Sequence, residues 1–160
     1  MQYKVSTVPC SNYSEKNVQK AVTEALSLLD LGEGFFNSSG QILLKPNLLS
    51  RRKPEKAVTT HPSVIEAVIN AIRNTQEDVD LAIGDSPGGA LKRIEYFWKR
   101  SGFKEVSEKT EEPLISFENS GSQEFSAENL GELDSFSIAQ PALDADMIIN
   151  LPKLKTHSFT

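Results

Sequence analysis

Two periods take turns along the chain. The opening stretch QYKVSTV alternates apolar and polar residues, with β-branched side chains among them, and predicts a strand near residues 2–8. After Ser14 the period lengthens. Val18, Val22, Ala25 and Leu29 recur at three- and four-residue spacing, which predicts an amphipathic helix with Ser14 as N-cap and Gly32 and Gly34 as stop signals. QILLKPN is short and apolar, a strand near 41–45 halted by Pro46, which has no N–H to give to a ladder. Pro62 fits the first position of a second helix, with Val64, Val68, Ala71 and Ile72 as its buried stripe. VDLAIGDSPGG reads as a strand near 79–83 that breaks into a glycine-rich turn. ALKRIEYFWKRSGF gives a third helix, with Leu91, Ile94, Phe97 and Trp98 inward and Gly102 as its stop. DADMIINLP closes the series as a buried strand near 146–151.

Between Glu105 and Gln140 the chain turns acidic and polar, with short strand-like pieces such as PLISFE and DSFSIA. This stretch is expected to be a strand followed by an excursion or hairpin, its carboxylates forming a solvated face. Strands that alternate with helices imply βαβ units joined by right-handed crossovers. The fold class expected is α/β: a mostly parallel sheet with flanking helices and a short polar β excursion. With no repeat, low-complexity tract or linker, residues 1–160 read as one α/β domain, long enough to bury roughly two-thirds of its unfolded surface.

Composition narrows the classes of function. A net charge of −5 argues against general nucleic-acid binding, which needs excess Lys and Arg to displace counterions. No apolar run approaches the roughly 20 residues of a membrane helix, so no membrane partner is expected. MQYKVSTVPC alternates instead of forming a signal-peptide core, and the expected compartment is the cytoplasm. Cys10 is the single cysteine, which excludes an internal disulfide or a cysteine-ligated zinc or iron–sulfur site built from this chain alone. It reads as a small core residue at the end of the first strand, not as a nucleophile.

In an open parallel sheet, ligands bind where the loops leave the carboxyl ends of the strands. Three strand ends carry chemistry. The first supplies Lys45 and Asn47, with Thr59, Thr60 and His61 following just before a helix. The second supplies Asp85, Ser86 and the glycines Gly88 and Gly89, whose backbone can approach an anion closely. The third supplies Lys153, Lys155 and His157 on alternate residues, which places them on one side of an extended segment. The glycine stretch is not a Walker A loop, because Ala90 and Leu91 stand where Lys and Ser/Thr are required.

The set points to a small anionic ligand, a carboxylate or a phosphate. Lys45, Asn47, Thr60, Ser86, Gly88, Lys153 and Lys155 are its candidate contacts, and Asp85, His61 and His157 are the candidate acids or bases. Plainer roles fit some of the same residues: His61 as a helix N-cap, the glycines as a tight turn, and Arg51, Arg52, Lys53 and Lys56 as a solvated loop instead of a flap. No metal site is expected, since the histidines lack metal-ligand spacing.

Taken together and in order, LLKPNLLSRRKPEKAVTTHPSVIEAVI, LAIGDSPGG and MIINLPKLKTHSFT resemble the domain-of-unknown-function family DUF362 over nearly the whole chain. The motif positions are Lys45, Pro46, Asn47, Thr60, His61, Pro62, Gly84, Asp85, Ser86, Gly88, Lys153, Lys155, Thr156 and His157. The resemblance implies an α/β fold and a site more than a reaction. Many members carry a ferredoxin-like region with cysteine clusters further downstream. The resemblance therefore implies no cofactor in this chain, but 4Fe-4S clusters and an electron-transfer domain beyond it. It also implies that these 160 residues are the N-terminal portion of a longer domain. An enzyme-like anion-binding domain is the leading expectation. The alternatives are a non-catalytic module that docks an acidic partner, and an isomerase similar in layout to the lactate-racemase family.

Overall fold

The computed structural model describes residues 3–32, 34–36, 40–87, 93–127, 131 and 133–156. The elements run α1 (Glu15–Leu29), β1 (Gln41–Pro46), α2 (Pro62–Arg73), β2 (Asp80–Asp85), α3 (Ile94–Ser101), α4 (Phe103–Thr110), β3 (Leu114–Ser116), β4 (Ser122–Ser126), β5 (Ser135–Ala139), α5 (Gln140–Asp144) and β6 (Met147–Leu151). Four strands form one sheet in the order β3-β2-β1-β6, every neighbouring pair parallel. β4 and β5 make a separate antiparallel hairpin, the polar excursion, with Phe125 stacked on Phe136.

Register follows from the two-residue period of the strands. Ile42 pairs with Leu81 on one side and Met147 on the other, and Leu44 pairs with Ile83 and Ile149. These side chains meet Ile65, Ile69 and Ile72 of α2, together with Trp98, Phe103 and Val106. Ile42, Leu44, Ile65 and Ile72 are fully buried. Each such side chain contributes about 1.5–3 kcal/mol through the water it leaves, so this layer is where most of the fold's stability is built.

Local signals set the helix ends. Ser14 Oγ accepts from Asn17 N–H and caps α1. Gly102 takes φ 82° between α3 and α4, and a Cβ there would stand 3.0 Å from Pro62 Cγ. It stops one helix as expected, but the chain enters the next helix at once. The acidic stretch is thus not all solvated face: Glu112 is buried and paired with Arg73 at 2.6 Å. The same guanidinium donates to Val79 O, tying the end of α2 to the entry of β2.

Three expectations need correction. Residues 3–13 contain no strand; Tyr3 is 84% exposed and Val5 88%. Alternation makes a strand only where a sheet edge accepts its backbone hydrogen bonds, and this segment pairs with no strand of the sheet. The segment makes an exposed ion pair from Lys4 to Asp30 at 3.2 Å. Cys10, without a strand to carry it inward, is exposed and donates to Asn12 O. The buried face of α2 is also rotated from the expected stripe. Ile65, Ala67, Val68, Ile69 and Ile72 are buried, and Val64 and Ala71 only partly, because α1 and α4 pack against the helix as well as the sheet. Leu91 lies outside the described residues.

A candidate anion site at the carboxyl edge of the sheet

Because all four strands run the same way, their carboxyl ends gather on one edge, and each brings polar residues there. Asp85 ends β2 in a buried position, 5% exposed. Lys45 Nζ lies 2.8 Å from its Oδ1, and Leu48 N–H donates to its Oδ2 at 2.7 Å. A buried carboxylate needs such compensation, and here both oxygens have it. The pair locks the loop after β1 onto β2.

Thr60 stitches the other side of β1. Its hydroxyl donates to Leu151 O at 2.5 Å and accepts from Asn47 N–H at 2.9 Å, and its own N–H donates to Asn47 O at 3.0 Å. One buried threonine therefore joins the ends of β1 and β6 to the entry of α2. Thr59 beside it is buried too, with no hydrogen-bond partner for Oγ1 among the described residues.

Lys155 and Lys153 reach back to the protein from the extended segment after β6, while Leu154 between them is 98% exposed. The ammonium of Lys155 donates to Asn47 Oδ1 and, at 3.2 Å, to Val58 O. That of Lys153 donates to the hydroxyl of Tyr13 at 2.7 Å. Tyr13 in turn stacks on His61, with ring centroids 4.2 Å apart and planes 12° from parallel. The two lysines thus flank the segment from Val58 to His61.

His61 is the N-cap of α2. Its Nδ1 receives the hydroxyl of Ser63 at 2.8 Å and the Ser63 N–H at 3.3 Å, which assigns the ring proton to Nε2. Burial, and then the Lys153 ammonium, hold the ring below the ordinary imidazole range, with Glu55 pulling the other way. Pro62 has no N–H, Ser63 N–H goes to His61 Nδ1, and Val64 N–H goes to His61 O. The helix entry is closed by its own cap and does not offer these groups to a ligand.

Ser86 donates to Glu118 Oε1 at 2.6 Å and Ser116 to Glu118 Oε2 at 3.0 Å, so this carboxylate clamps the ends of β2 and β3. Gly84 has a packing reason: a Cβ there would meet the Phe117 ring at 2.7 Å. Gly88 and His157 lie outside the described residues, as does Gly89. Arg51, Arg52, Lys53 and Lys56 are exposed, with Arg51 5.9 Å from the Tyr96 ring centroid.

The structure therefore brings Lys45 to Asp85, and Asn47, Thr60 and Lys155 to one another. It brings Lys153 to His61 through Tyr13. Tyr13 and Glu118 were not among the residues singled out from sequence. Tyr13 stands alone in a polar stretch 140 positions from Lys153, and only the position of Glu118 two residues past the end of PLIS hinted at a strand-end role.

Among the described residues no group of three or more His, Cys, Asp and Glu is placed to hold a metal ion. The exposed Cys10 is the only cysteine in the 160 residues, so these residues do not fit an iron–sulfur cluster. Nor, among the described residues, is any helix long and apolar enough to cross a membrane.

The model of the family described as a domain of unknown function, DUF362, matches residues 42–160. The chain is 27% identical over 158 residues to the thylakoid-associated protein sll1697 of Synechocystis, an alignment that covers 96% of this chain and 46% of that protein. It thus spans a little under half the length of that relative. No solved structure matches.

Proposed function

The chain belongs to the DUF362 family, and from that premise we propose that its carboxyl sheet edge binds a small anion, a carboxylate or a phosphate, through Lys153 and Lys155. One observation carries the reading. Among the described residues, the hydrogen bonds of these two ammonium groups go only to neutral oxygens, whereas the charge of Lys45 is compensated by Asp85 at 2.8 Å. Two uncompensated cations on either side of one short segment attract an anion. A cation already paired with a buried carboxylate does so far less.

The acid–base role in this reading falls to His61. It is held neutral more firmly than a free imidazole, its proton is on Nε2, and it lies within the field of Lys153. Both oxygens of Asp85 are engaged, so Asp85 orders the loop instead of moving protons. Exposed charge pairs are worth about 0–1 kcal/mol each, so two of them supply at most about 2 kcal/mol and the affinity is expected to be weaker than millimolar, the level that corresponds to about −4 kcal/mol. Calorimetric titration of phosphate and small carboxylates at low salt tests this. Saturable binding that Lys153→Ala and Lys155→Ala each weaken supports the reading, and binding indifferent to both rejects it.

A second reading is favoured by Leu154, an apolar side chain almost fully exposed between the two lysines. Such a strip suits an acidic segment of a protein partner with an apolar residue of its own. An acidic peptide that binds much more tightly than phosphate, and loses that advantage in Leu154→Ser, would establish docking over small-ligand binding. The compartment that goes with the leading reading is the cytoplasm. Association with a membrane system would shift the weight to docking; the name of the Synechocystis protein calls that protein thylakoid-associated.

A further inference from the structure

We propose that Tyr13 is the positioning residue of the anion site: its phenol aims the Lys153 ammonium and its ring fixes the plane of His61, without cancelling the positive charge. The inference rests on the anion-binding reading above and adds a residue that lies outside the family match, which begins at residue 42.

The acceptor is what makes the argument. Lys153 is a long, flexible side chain on an extended segment beyond the last strand, where nothing in the sheet restrains it. A carboxylate partner would restrain it and also neutralise it, as Asp85 does to Lys45. The Tyr13 hydroxyl accepts at 2.7 Å as a neutral oxygen, so direction is gained while the charge stays available. The Lys153 Nζ stands 5.0 Å from the Tyr13 ring centroid, out past the phenol oxygen that it bonds. The opposite task falls to the ring: stacked at 4.2 Å on His61, it limits rotation of the imidazole that Ser63 anchors from the other end.

Tyr13 is itself held in place by backbone chemistry. Asn12 Oδ1 accepts from Ser14 N–H at 2.9 Å and from Asn17 Nδ2 at 3.0 Å, which closes the turn around Tyr13 onto the start of α1. Burial of Val18 anchors α1 separately, and Tyr13 is 47% exposed, so its hydroxyl is not needed for the fold. A residue with little structural work, a fixed backbone and two site residues in its grasp fits a positioning role.

Tyr13→Phe keeps the ring and removes the acceptor. Two readouts are taken on the whole chain: phosphate affinity by calorimetry, and the Lys153 ammonium signal by nitrogen-detected NMR without ligand. The expected result is a loss of about three- to tenfold in phosphate affinity, in line with the net worth of one ordinary hydrogen bond. The Lys153 signal broadens, the melting temperature is unchanged, and the His61 ring shifts stay in place. Tyr13→Ala moves the His61 shifts as well. Affinity equal to wild type in Tyr13→Phe, where Lys153→Ala does lose affinity, overturns the proposal. Should wild type bind no phosphate, the anion reading fails by itself and the Lys153 signal decides only whether the Tyr13 phenol orders that ammonium: broadening upholds the ordering, and an unchanged signal overturns it.

Discussion

Lys45 and the pair Lys153 and Lys155 come from similar sequence, a lysine at or just past the end of an apolar strand, yet they live in opposite electrostatic surroundings. Lys45 faces a buried carboxylate that also holds Leu48 N–H. Lys153 and Lys155 face a phenol, an amide oxygen and a carbonyl. The first arrangement is a lock, costly to open because it would strand a buried charge. The second is loose and keeps its charge for something else. The strand-end position makes a lysine available to a ligand, and the partner decides whether it is free to act.

The sharpest way to break this contrast is to remove the centre of the lock. Asp85→Ala takes away a buried carboxylate and leaves Leu48 N–H without an acceptor, and the expected loss is about 2–3 kcal/mol of unfolding free energy. Lys45 is 40% exposed and recovers water, which keeps the figure below that for a fully buried pair. Urea unfolding measures it, and a loss below about 0.5 kcal/mol would show that the lock is ornamental.

Thr60→Val comes next in size. It keeps the shape of the side chain but removes the hydroxyl that joins Asn47 N–H to Leu151 O, and should cost about 1–2 kcal/mol in the same assay. Lys153→Ala and Lys155→Ala should each change stability by less than about 0.5 kcal/mol, as a half-buried and an exposed side chain without a charged partner do. A larger loss would make them part of the fold's framework and weaken the comparison at its root.

The smallest effect concerns pH. His61 has its folded-state pKa lowered, first by burial and then by Lys153. The unfolded chain therefore takes up a proton more readily than the folded one, and protonation favours unfolding. Stability from the neutral ring is fully present above the unfolded value, about 6.5, and is lost as pH falls through the lower folded value. Wild type should lose more stability than His61→Asn over that window, by a modest amount because the ring is partly solvated. A parallel decline in both would place the titration elsewhere.

How much of this was legible in the sequence differs by element. The apolar runs in QILL, DLAI and MIIN were short but sharply bounded, so β1, β2 and β6 and their parallel sense could be read directly. The same alternation in residues 3–8 gave no strand, because a pattern names the face a residue would bury but not the sheet edge that must receive its backbone. Helix α4 was hidden behind Gly102, whose positive φ both ends one helix and starts the next. At the site, Leu154 is turned out to solvent between its two lysine neighbours. The identity of their partners was not readable, since Lys45 finds Asp85 forty positions away and Lys153 finds Tyr13 across 140.

The most direct test of the central claim is a calorimetric titration of phosphate at low salt into three proteins: wild type, Lys45→Ala, and the double variant Lys153→Ala with Lys155→Ala. The account predicts that the double variant loses at least about tenfold in affinity, the equivalent of roughly 1.4 kcal/mol, while Lys45→Ala stays within about threefold of wild type. Retained binding in the double variant, with binding lost in Lys45→Ala, would contradict it and move the anion to the Lys45–Asp85 pair.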